Sequence, residues 1–297
     1  MKQNAIGVIG LGRMGGPIAQ RLMQSEFRLM VWDIIPDCRE PFENKGNVRV
    51  APPGEMARKC SVLFFVVPSS AEIADCFKGK DGVLQNARKG LMICDLTTSD
   101  PVETRKLGRR AVRRGLDYLD AGMSGGPASI LAGKLTLMIG GNPRVLGRMK
   151  PYLAPFVEKI FHLGPIGSGH TMKIIHNMAL HTIFLATCEA ARLTERMGMK
   201  VADMIDVFNA STAFSYASRH RFPNNILNGS WNSQARIYNP WKDVRLAVRL
   251  AHECGADVEL GERTLAFLEK AVSRGMVEED YSLLYRDFEE IKKTRCS

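Results

Sequence analysis

The segment GLGRMG, residues 10–15, most constrains the fold of this chain. It follows the apolar run AIGVI and leads into GGPIAQRLMQSE, which has the pattern of an amphipathic helix. A GxGxxG sequence between a strand and a helix makes a tight turn, which brings backbone N–H groups and the positive helix end to a pyrophosphate. A glycine-rich turn without a ligand is the alternative. We predict a dinucleotide site formed by Gly10, Leu11, Gly12, Arg13, Met14 and Gly15.

Asp33 ends the next apolar run, eighteen residues after Gly15. A carboxylate at this point accepts hydrogen bonds from the ribose hydroxyls of an adenosine and repels a 2′-phosphate. Ile34 and Ile35 follow, where a site for a 2′-phosphate would need an arginine. The sequence therefore predicts NAD as the cofactor and makes NADP the less favoured alternative.

The distribution of apolar residues divides the chain into two parts. Short apolar runs alternate with amphipathic stretches up to about residue 163, which is typical of βαβ units and a parallel sheet. We expect strands at residues 5–10, 28–33, 62–67, 91–96, 116–121 and 135–140, with 159–163 closing the sheet. From residue 164 the pattern is helical, with a long buried helix to Gly198, helices at 201–210, 241–254, 257–273 and 279–293, and a polar loop at 223–240. The predicted domains are residues 1–163 and 164–297.

The net charge of +10 raises the question of nucleic-acid binding, and RKLGRRAVRR at residues 105–114 is its best support. Leu107 and Ala111 give that segment an apolar stripe, so a solvated helix face explains the arginines as well. No nucleic-acid motif accompanies the charge, and we expect small anionic ligands instead. No apolar run reaches the roughly 18 residues of a membrane helix, and the first residues lack a signal-peptide pattern, so we expect a cytoplasmic protein without a membrane partner.

Cysteine and histidine spacing argues against disulfides and metal sites. No CxxC pair occurs, and an odd number of scattered cysteines fits reduced thiols. They are Cys38, Cys60, Cys76, Cys94, Cys188, Cys254 and Cys296. His176 and His181 diverge by about 140° on a helix. We therefore expect no metal.

Four segments, in order and over almost the whole chain, resemble the β-hydroxyacid dehydrogenase family, which includes 3-hydroxyisobutyrate dehydrogenase and tartronate semialdehyde reductase. They are GLGRMGGPIAQRL (10–22), DAGMSGGPASILAGKLTLMIGG (120–141), GPIGSGHTMKIIHN (164–177) and KDVRLA (242–247). The resemblance implies the architecture of 6-phosphogluconate dehydrogenase: a Rossmann-like α/β domain, an all-α domain and an active site between them. It also implies hydride transfer between a nicotinamide and a small β-hydroxyacid or its semialdehyde or keto form, in a homodimer or homotetramer.

The same resemblance assigns roles to individual positions. Lys173 becomes the catalytic lysine and Asn177 its substrate-positioning partner. The turn Ser124, Gly125 and Gly126 would hold the substrate carboxylate. Val67, Pro68 and Thr98 would line the nicotinamide half of the cofactor site, and Lys242 would reach substrate and cofactor from the helical domain.

The chemistry of Lys173 is consistent with that role. A carbonyl that receives hydride must be protonated, and the reverse reaction must remove a hydroxyl proton. A lysine can do both when its surroundings lower its pKa from the usual value of about 10.4. Lys173 and Asn177, four residues apart, share one side of a helix. The alternative is a lysine that extends from an apolar helix to solvent, while packing is the favoured role for His170, His176 and His181.

Several positions depart from the family pattern. The family usually has proline and valine where this chain has Gly122 and Met123, Glu72 replaces a common asparagine, and Pro240 is inserted before Lys242. These changes leave the identity of the hydroxyacid open. Surface charge is the favoured role of the cluster Arg219, His220 and Arg221, and contact with substrate is the alternative. Reduction of an imine-type electrophile and a non-catalytic nucleotide-binding module are the alternative functions.

Overall fold

The computed structural model describes residues 5–294. The chain forms two compact units, and the division between them falls after Lys173. The sequence places the domain boundary ten residues earlier, at 163/164, where the strand pattern ends. The division lies within one continuous helix, Ser168–Arg196.

The first unit is built on an eight-stranded sheet. Its strands are β1 (Ala5–Ile9), β2 (Arg28–Trp32), β3 (Val48–Val50), β4 (Cys60–Phe65), β5 (Met92–Asp95), β6 (Asp117–Ser124), β7 (Leu135–Gly141) and β8 (Val157–His162). The order is β3-β2-β1-β4-β5-β6-β7-β8, and every neighbouring pair is parallel except β6 and β7. The first six strands have the order of the Rossmann fold. The predicted α/β class is confirmed.

The apolar runs form strands because both faces of the sheet are covered. Residues of β1 and β4 point alternately into two separate hydrophobic clusters. Val8 and Phe64 belong to one cluster, and Ile9 and Phe65 to the other. Parallel strands buried on both sides have continuous apolar sequences. The short strand β3 was not predicted, because its VRV sequence at the sheet edge offers only three residues and a half-exposed pattern.

Helices connect the strands on both faces. They are α1 (Gly15–Met23), α2 (Pro36–Arg39), α3 (Pro53–Lys59), α4 (Ser70–Phe77), α5 (Val83–Asn86), α6 (Pro101–Arg113), α7 (Pro127–Leu131) and α8 (Pro143–Leu153), with a 3-10 turn at Glu40–Phe42. Asp100 caps α6 by accepting the Val102 N–H at 2.9 Å. Pro101 occupies the first turn, where no N–H is needed. The cap and the proline together define where α6 begins.

The second unit is helical. It contains most of α9 (Ser168–Arg196), then α10 (Val201–Ala210), a π-helix (Ala217–Leu227), α11 (Tyr238–Cys254), α12 (Glu259–Ser273), a 3-10 turn (Met276–Glu278), α13 (Leu283–Arg286) and α14 (Phe288–Lys293). The predicted loop at 223–240 was wrong at both ends. The π-helix contains Pro223, a residue that normally breaks a helix, and α11 begins three residues before the predicted start at 241. The predicted helix at 279–293 is divided into two short helices.

Aromatic side chains form the centre of the second unit. Phe222 of the π-helix is fully buried, with its ring centroid 6.3 Å from that of Phe184 and 5.2 Å from that of Tyr285. Phe184 also stacks on Tyr281 at 4.4 Å. These contacts hold the π-helix against α9.

Other expectations can be compared with the described residues. No helix within residues 5–294 is long and apolar enough to cross a membrane. The same stretch has no group of three or more histidine, cysteine or acidic residues placed to hold a metal ion. Six of the seven cysteines are free thiols in the structure, and Cys296 lies outside the described residues.

Truncating Phe222 tests the aromatic centre of the second unit. We expect Phe222→Ala to lower the free energy of unfolding by about 3–5 kcal/mol, because it removes a buried ring and leaves a cavity. Phe214→Ala is the control, since Phe214 is 52% exposed and contacts Arg219 on the surface, and its effect should stay within about 1 kcal/mol. Denaturant unfolding can be followed by tryptophan fluorescence, because Trp231 and Trp241 lie in this unit. Equal effects of the two substitutions would contradict the assignment.

Candidate active site

The turn between β1 and α1 is shaped to receive a dinucleotide. Gly10 has φ +94°, and a β carbon there would collide with the carbonyl oxygen of Val66. Gly12 has no atom within 4 Å of the corresponding position, so its backbone is open to a pyrophosphate. Leu11 is buried beneath the turn, and Arg13 is exposed on it. Met14 precedes the first residue of α1, Gly15. The residues present fit the diphosphate of NAD.

Asp33 follows β2 and is joined to this turn. Its Oδ2 accepts the Leu11 N–H at 2.6 Å, and its Oδ1 accepts the Ile35 N–H at 2.9 Å. The carboxylate is thereby held beside the turn, while each oxygen keeps a lone pair for another donor. This position suits the ribose hydroxyls of NAD, and its negative charge opposes a 2′-phosphate.

The expected nicotinamide segment lies at the same edge of the sheet. Val67 and Pro68 follow β4, and Thr98 follows β5. Val67 and Thr98 are half-buried, and Pro68 is exposed. The carboxyl ends of β1, β4 and β5 share this edge, which is where open α/β sheets bind ligands.

Glu72 caps a helix. The Ser69 hydroxyl accepts the Ala71 N–H at 3.2 Å and donates to Glu72 Oε2 at 2.6 Å. Ser69 is the N-cap of α4, and Glu72 lies in its first turn, where a negative charge favours the helix dipole. This local role explains the acidic residue near the expected cofactor site.

The turn after β6 brings together Ser124, Gly125 and Gly126. Ser124 ends the strand and is half-buried, while Gly125 has φ +121° and exposes its backbone. Gly126 has no atom within 4 Å of the position of an added β carbon. A serine hydroxyl and open glycine backbone suit a small anion.

Lys173 lies against the same strand, two residues before that turn. A β carbon added to Gly122 would be 2.5 Å from Cβ and 3.1 Å from Cγ of Lys173. In this chain the absence of a β carbon at residue 122 lets the Lys173 side chain pack directly on the strand. Met123, on the opposite face, packs against the hydrophobic core.

Asp120, also on β6, holds the start of the lysine helix. Its Oδ1 accepts the Gly167 N–H at 2.7 Å, and its Oδ2 accepts the His170 N–H at 2.9 Å. The side chain is fully buried. Sequence reasoning gave Asp120 no role, because a cap from a residue about fifty positions away leaves no local signal.

Asn177 and Lys242 come together in the second unit through Asp243. The Asn177 amide donates from Nδ2 to Asp243 Oδ2 at 2.6 Å, and His176 Nδ1 lies 3.0 Å from Asn177 Oδ1. Lys242 Nζ is 3.3 Å from Asp243 Oδ1. Asp243 is therefore a buried carboxylate that orients the amide and pairs with the lysine. Asp243 lies in the KDVRLA segment, next to Lys242, but this position in the sequence did not reveal its hydrogen bond with Asn177.

The remaining histidines and the arginine cluster have packing contacts. His181 Nδ1 is 3.1 Å from the hydroxyl of Tyr281, whose pKa is raised by burial. The Arg219 guanidinium lies 4.0 Å above Phe214, and the His220 ring stacks on Tyr216 at 4.8 Å. Arg221 donates to the Ser233 carbonyl at 3.0 Å. Each of these groups has a local partner.

Comparison with known families agrees with this geometry. A family model described as the NAD binding domain of 6-phosphogluconate dehydrogenase matches residues 5–164. A second model, described as NAD-binding of NADP-dependent 3-hydroxyisobutyrate dehydrogenase, matches residues 167–288. The two models together span both units.

Individual relatives align over nearly the whole chain. A probable mitochondrial 3-hydroxyisobutyrate dehydrogenase of Dictyostelium discoideum is 29% identical, over 94% of this chain and 89% of the relative. An NAD-dependent L-serine dehydrogenase of Pseudomonas aeruginosa is 26% identical, over 97% and 98%. The solved structure of Mycobacterium tuberculosis 3-hydroxyisobutyrate dehydrogenase with L-serine has a TM-score of 0.85 at 25% identity, covering 96% and 99%. The chain belongs to the β-hydroxyacid dehydrogenase family.

Proposed function

We propose that this protein is an NAD-dependent oxidoreductase that interconverts a small β-hydroxyacid and its semialdehyde or keto form, with Lys173 as general acid and base. The observation that carries the proposal is the contact of Lys173 with Gly122, two residues before the Ser124 turn. The contact of Lys173 Cβ and Cγ with β6, two residues from a turn suited to a carboxylate, supports a role of this lysine in proton transfer.

The proposed reaction uses few groups of the protein. The turn at residues 10–15 and Asp33 would hold NAD, which would supply the hydride acceptor and, when reduced, the hydride donor. The Lys173 amine removes the hydroxyl proton during oxidation, and its ammonium returns a proton to the oxygen during reduction. Asn177, oriented by Asp243, aligns the substrate oxygen. Ser124 and the two following glycines bind the carboxylate, with Lys242 as a second cation.

The relatives suggest the substrate class. In both 3-hydroxyisobutyrate and serine, a CH2OH group is attached directly to the carbon that bears the carboxylate. We propose a substrate with this skeleton and leave its substituent to experiment. Oxidation of a panel containing 3-hydroxyisobutyrate, L-serine and glycerate, with NAD at alkaline pH, identifies the best substrate.

Location and assembly stay predictions. We propose a cytoplasmic homodimer or homotetramer that binds neither nucleic acid nor membranes. The Dictyostelium relative is named as mitochondrial, so fractionation of cells is the direct measurement. Light scattering after size-exclusion chromatography gives the number of subunits.

Substitution of Lys173 tests the central assignment. We expect Lys173→Ala to lower kcat by roughly 10²-fold to 10⁴-fold while NADH binding stays intact, because the variant loses only proton transfer. Steady-state kinetics with the best substrate and fluorescence titration with NADH provide the two measurements. Lys150→Ala, at an exposed lysine of α8, is the control and should match wild type. Near-normal turnover by folded Lys173→Ala would refute the proposal.

Substitution of Asp33 tests the cofactor preference. The wild type should have a KM for NADP at least about 10-fold above that for NAD, a difference of about 1.4 kcal/mol. Asp33→Ser should weaken the binding of NAD and reduce the difference between the KM values for NADP and NAD. It removes both the carboxylate that accepts from the ribose hydroxyls and the charge that repels a 2′-phosphate. Asp37→Ser, an exposed carboxylate on the following helix, serves as the matched control. A wild-type preference for NADP would show that the assignment is wrong.

Substitution of Gly122 tests the placement of the lysine. In Gly122→Ala the added β carbon must push Lys173 away from β6, so we expect kcat to fall about 10-fold or more. NADH affinity should change little. Gly147→Ala, at an exposed helical glycine with free space around it, should leave kcat unchanged. If Gly122→Ala keeps full kcat, close packing of the lysine on β6 is not needed for the reaction.

A further inference from the structure

Two buried carboxylates lie side by side beneath the start of the lysine helix. Asp95, the last residue of β5, and Asp120 of β6 are register partners in the sheet, and both are fully buried. Asp120 accepts the two backbone N–H groups at the beginning of α9. Asp95 accepts the Tyr118 hydroxyl at Oδ2 and the Thr97 N–H at Oδ1, at 2.7 and 3.0 Å. The reaction proposed above uses neither carboxylate.

His170 connects these carboxylates to a third element. Its ring is fully buried, and Nε2 lies 3.1 Å from the backbone oxygen of Asp95 and 4.0 Å from its Oδ1. Because a carbonyl oxygen only accepts, Nε2 carries a proton. Nδ1 is 2.8 Å from the hydroxyl of Thr104 on α6. The imidazole therefore joins α9 to the end of β5 and to α6.

The surroundings of the imidazole are polar and closed to water. The Asp95 carboxylate of β5 lies 4.0 Å from the ring, while Asp120 of β6 accepts the backbone N–H of His170 and Tyr118 of β6 donates to Asp95. Burial raises the pKa of the Asp95 carboxyl, although His170 and Tyr118 act in the opposite direction. Buried polar groups cost free energy unless all of them are hydrogen-bonded. Apolar side chains at these positions would therefore stabilise the core more simply.

We propose that His170 is a positioning residue that fixes the first turn of α9 against β5 and α6 and thereby sets the place of the Lys173 amine. The inference rests on the proposed function of Lys173. The backbone at the start of α9 is held by Asp120 and by the close packing of Gly169 on β6 and β7. The side chain of His170 adds contacts from its two ring nitrogens to α6 and to the end of β5, which the backbone contacts do not reach.

Lys173 follows His170 by one helical turn, so a rotation at His170 moves the lysine by a similar amount. The segment joined to His170 also matters. Asp95 is followed directly by residues 96–100, which contain Thr98 of the expected nicotinamide segment. The His170 imidazole thus connects the helix that carries Lys173 to the segment 96–100. A displacement of about 1 Å can reduce turnover by about 10²-fold.

Two substitutions remove the contacts of His170 with little change in volume. Thr104→Val removes the hydroxyl partner of Nδ1, and His170→Phe fills the site without hydrogen bonds. We expect each to lower kcat about 10-fold or more, with KM for NAD changed by less than about 3-fold. Thr104→Ser and His170→Gln, which retain hydrogen-bonding groups, should recover most of the loss. Thr171→Val is the matched control, because its hydroxyl bonds only within α9, to the Gly167 carbonyl.

A second measurement reports on the lysine without any substrate. Brief labelling with acetic anhydride over a range of pH, followed by peptide mass spectrometry, gives the reactivity of the Lys173 amine. We expect the pH dependence of its labelling to shift in Thr104→Val and His170→Phe, and to stay unchanged in Thr171→Val. If His170→Phe does not fold, Thr104→Val alone decides the result.

The outcomes separate this inference from the proposed function. If the variants lose only thermal stability and keep both kcat and the labelling profile, His170 has a purely structural role and the inference is overturned. If Lys173→Ala keeps its activity, the proposed function fails, while a shifted labelling profile in Thr104→Val would still show that the network positions the amine.

Discussion

The acceptance of two backbone N–H groups by the buried carboxylate of Asp120 is the interaction on which the lysine site depends. A buried charge is costly, and here it is balanced by the N–H groups of Gly167 and His170 and by the positive end of α9. Hydrogen bonds to the charged form stabilise it in an apolar setting. The contact joins the sheet to a helix that begins almost fifty residues later. Lys173 has a defined place because the helix that carries it begins at a fixed point.

The second unit applies the same principle to Asn177. A side-chain amide can rotate by about 180°, which interchanges the positions of its oxygen and nitrogen. A binding site must therefore fix which of the two atoms faces the ligand. The Asp243 carboxylate can only accept a hydrogen bond, so the Nδ2 group of Asn177 faces it. The Oδ1 atom of Asn177 then faces His176. Lys242 balances the charge of the carboxylate. In both units a buried aspartate orients a group that the proposed reaction needs.

The sequence predicted the features that leave a local pattern. The parallel sheet, the dinucleotide turn and the long helix followed from apolar runs, glycine spacing and helical periodicity. The π-helix was missed, because Pro223 and the asparagines after it normally indicate a loop. Its formation depends on the burial of Phe222, which no local pattern shows.

The same limit applied to the site. The family resemblance pointed to Lys173, Asn177 and the Ser124 turn, and these residues lie on the elements expected to carry them. Sequence reasoning assigned no role to four residues that contact a partner 50 to 75 positions away: Asp95, Asp120, Thr104 and Asp243.

Glu72 is the opposite case. Its effect is local, and a serine followed three residues later by a glutamate is by itself a sequence signature of a helix cap.

Strand β6 has a further consequence for how this protein can change. Asp120, Gly122 and Ser124 are alternate residues, so they share one face of the strand at intervals of roughly 6.8 Å. A point mutation alters one function at a time, whereas insertion or deletion of a single residue between them would turn part of the set to the opposite face. Gly125 and Gly126 lie beyond the strand, before α7 begins at Pro127, so this alternation does not apply to them. Substitutions can therefore change these three side chains of β6 one at a time, while the pitch of the strand preserves their spacing.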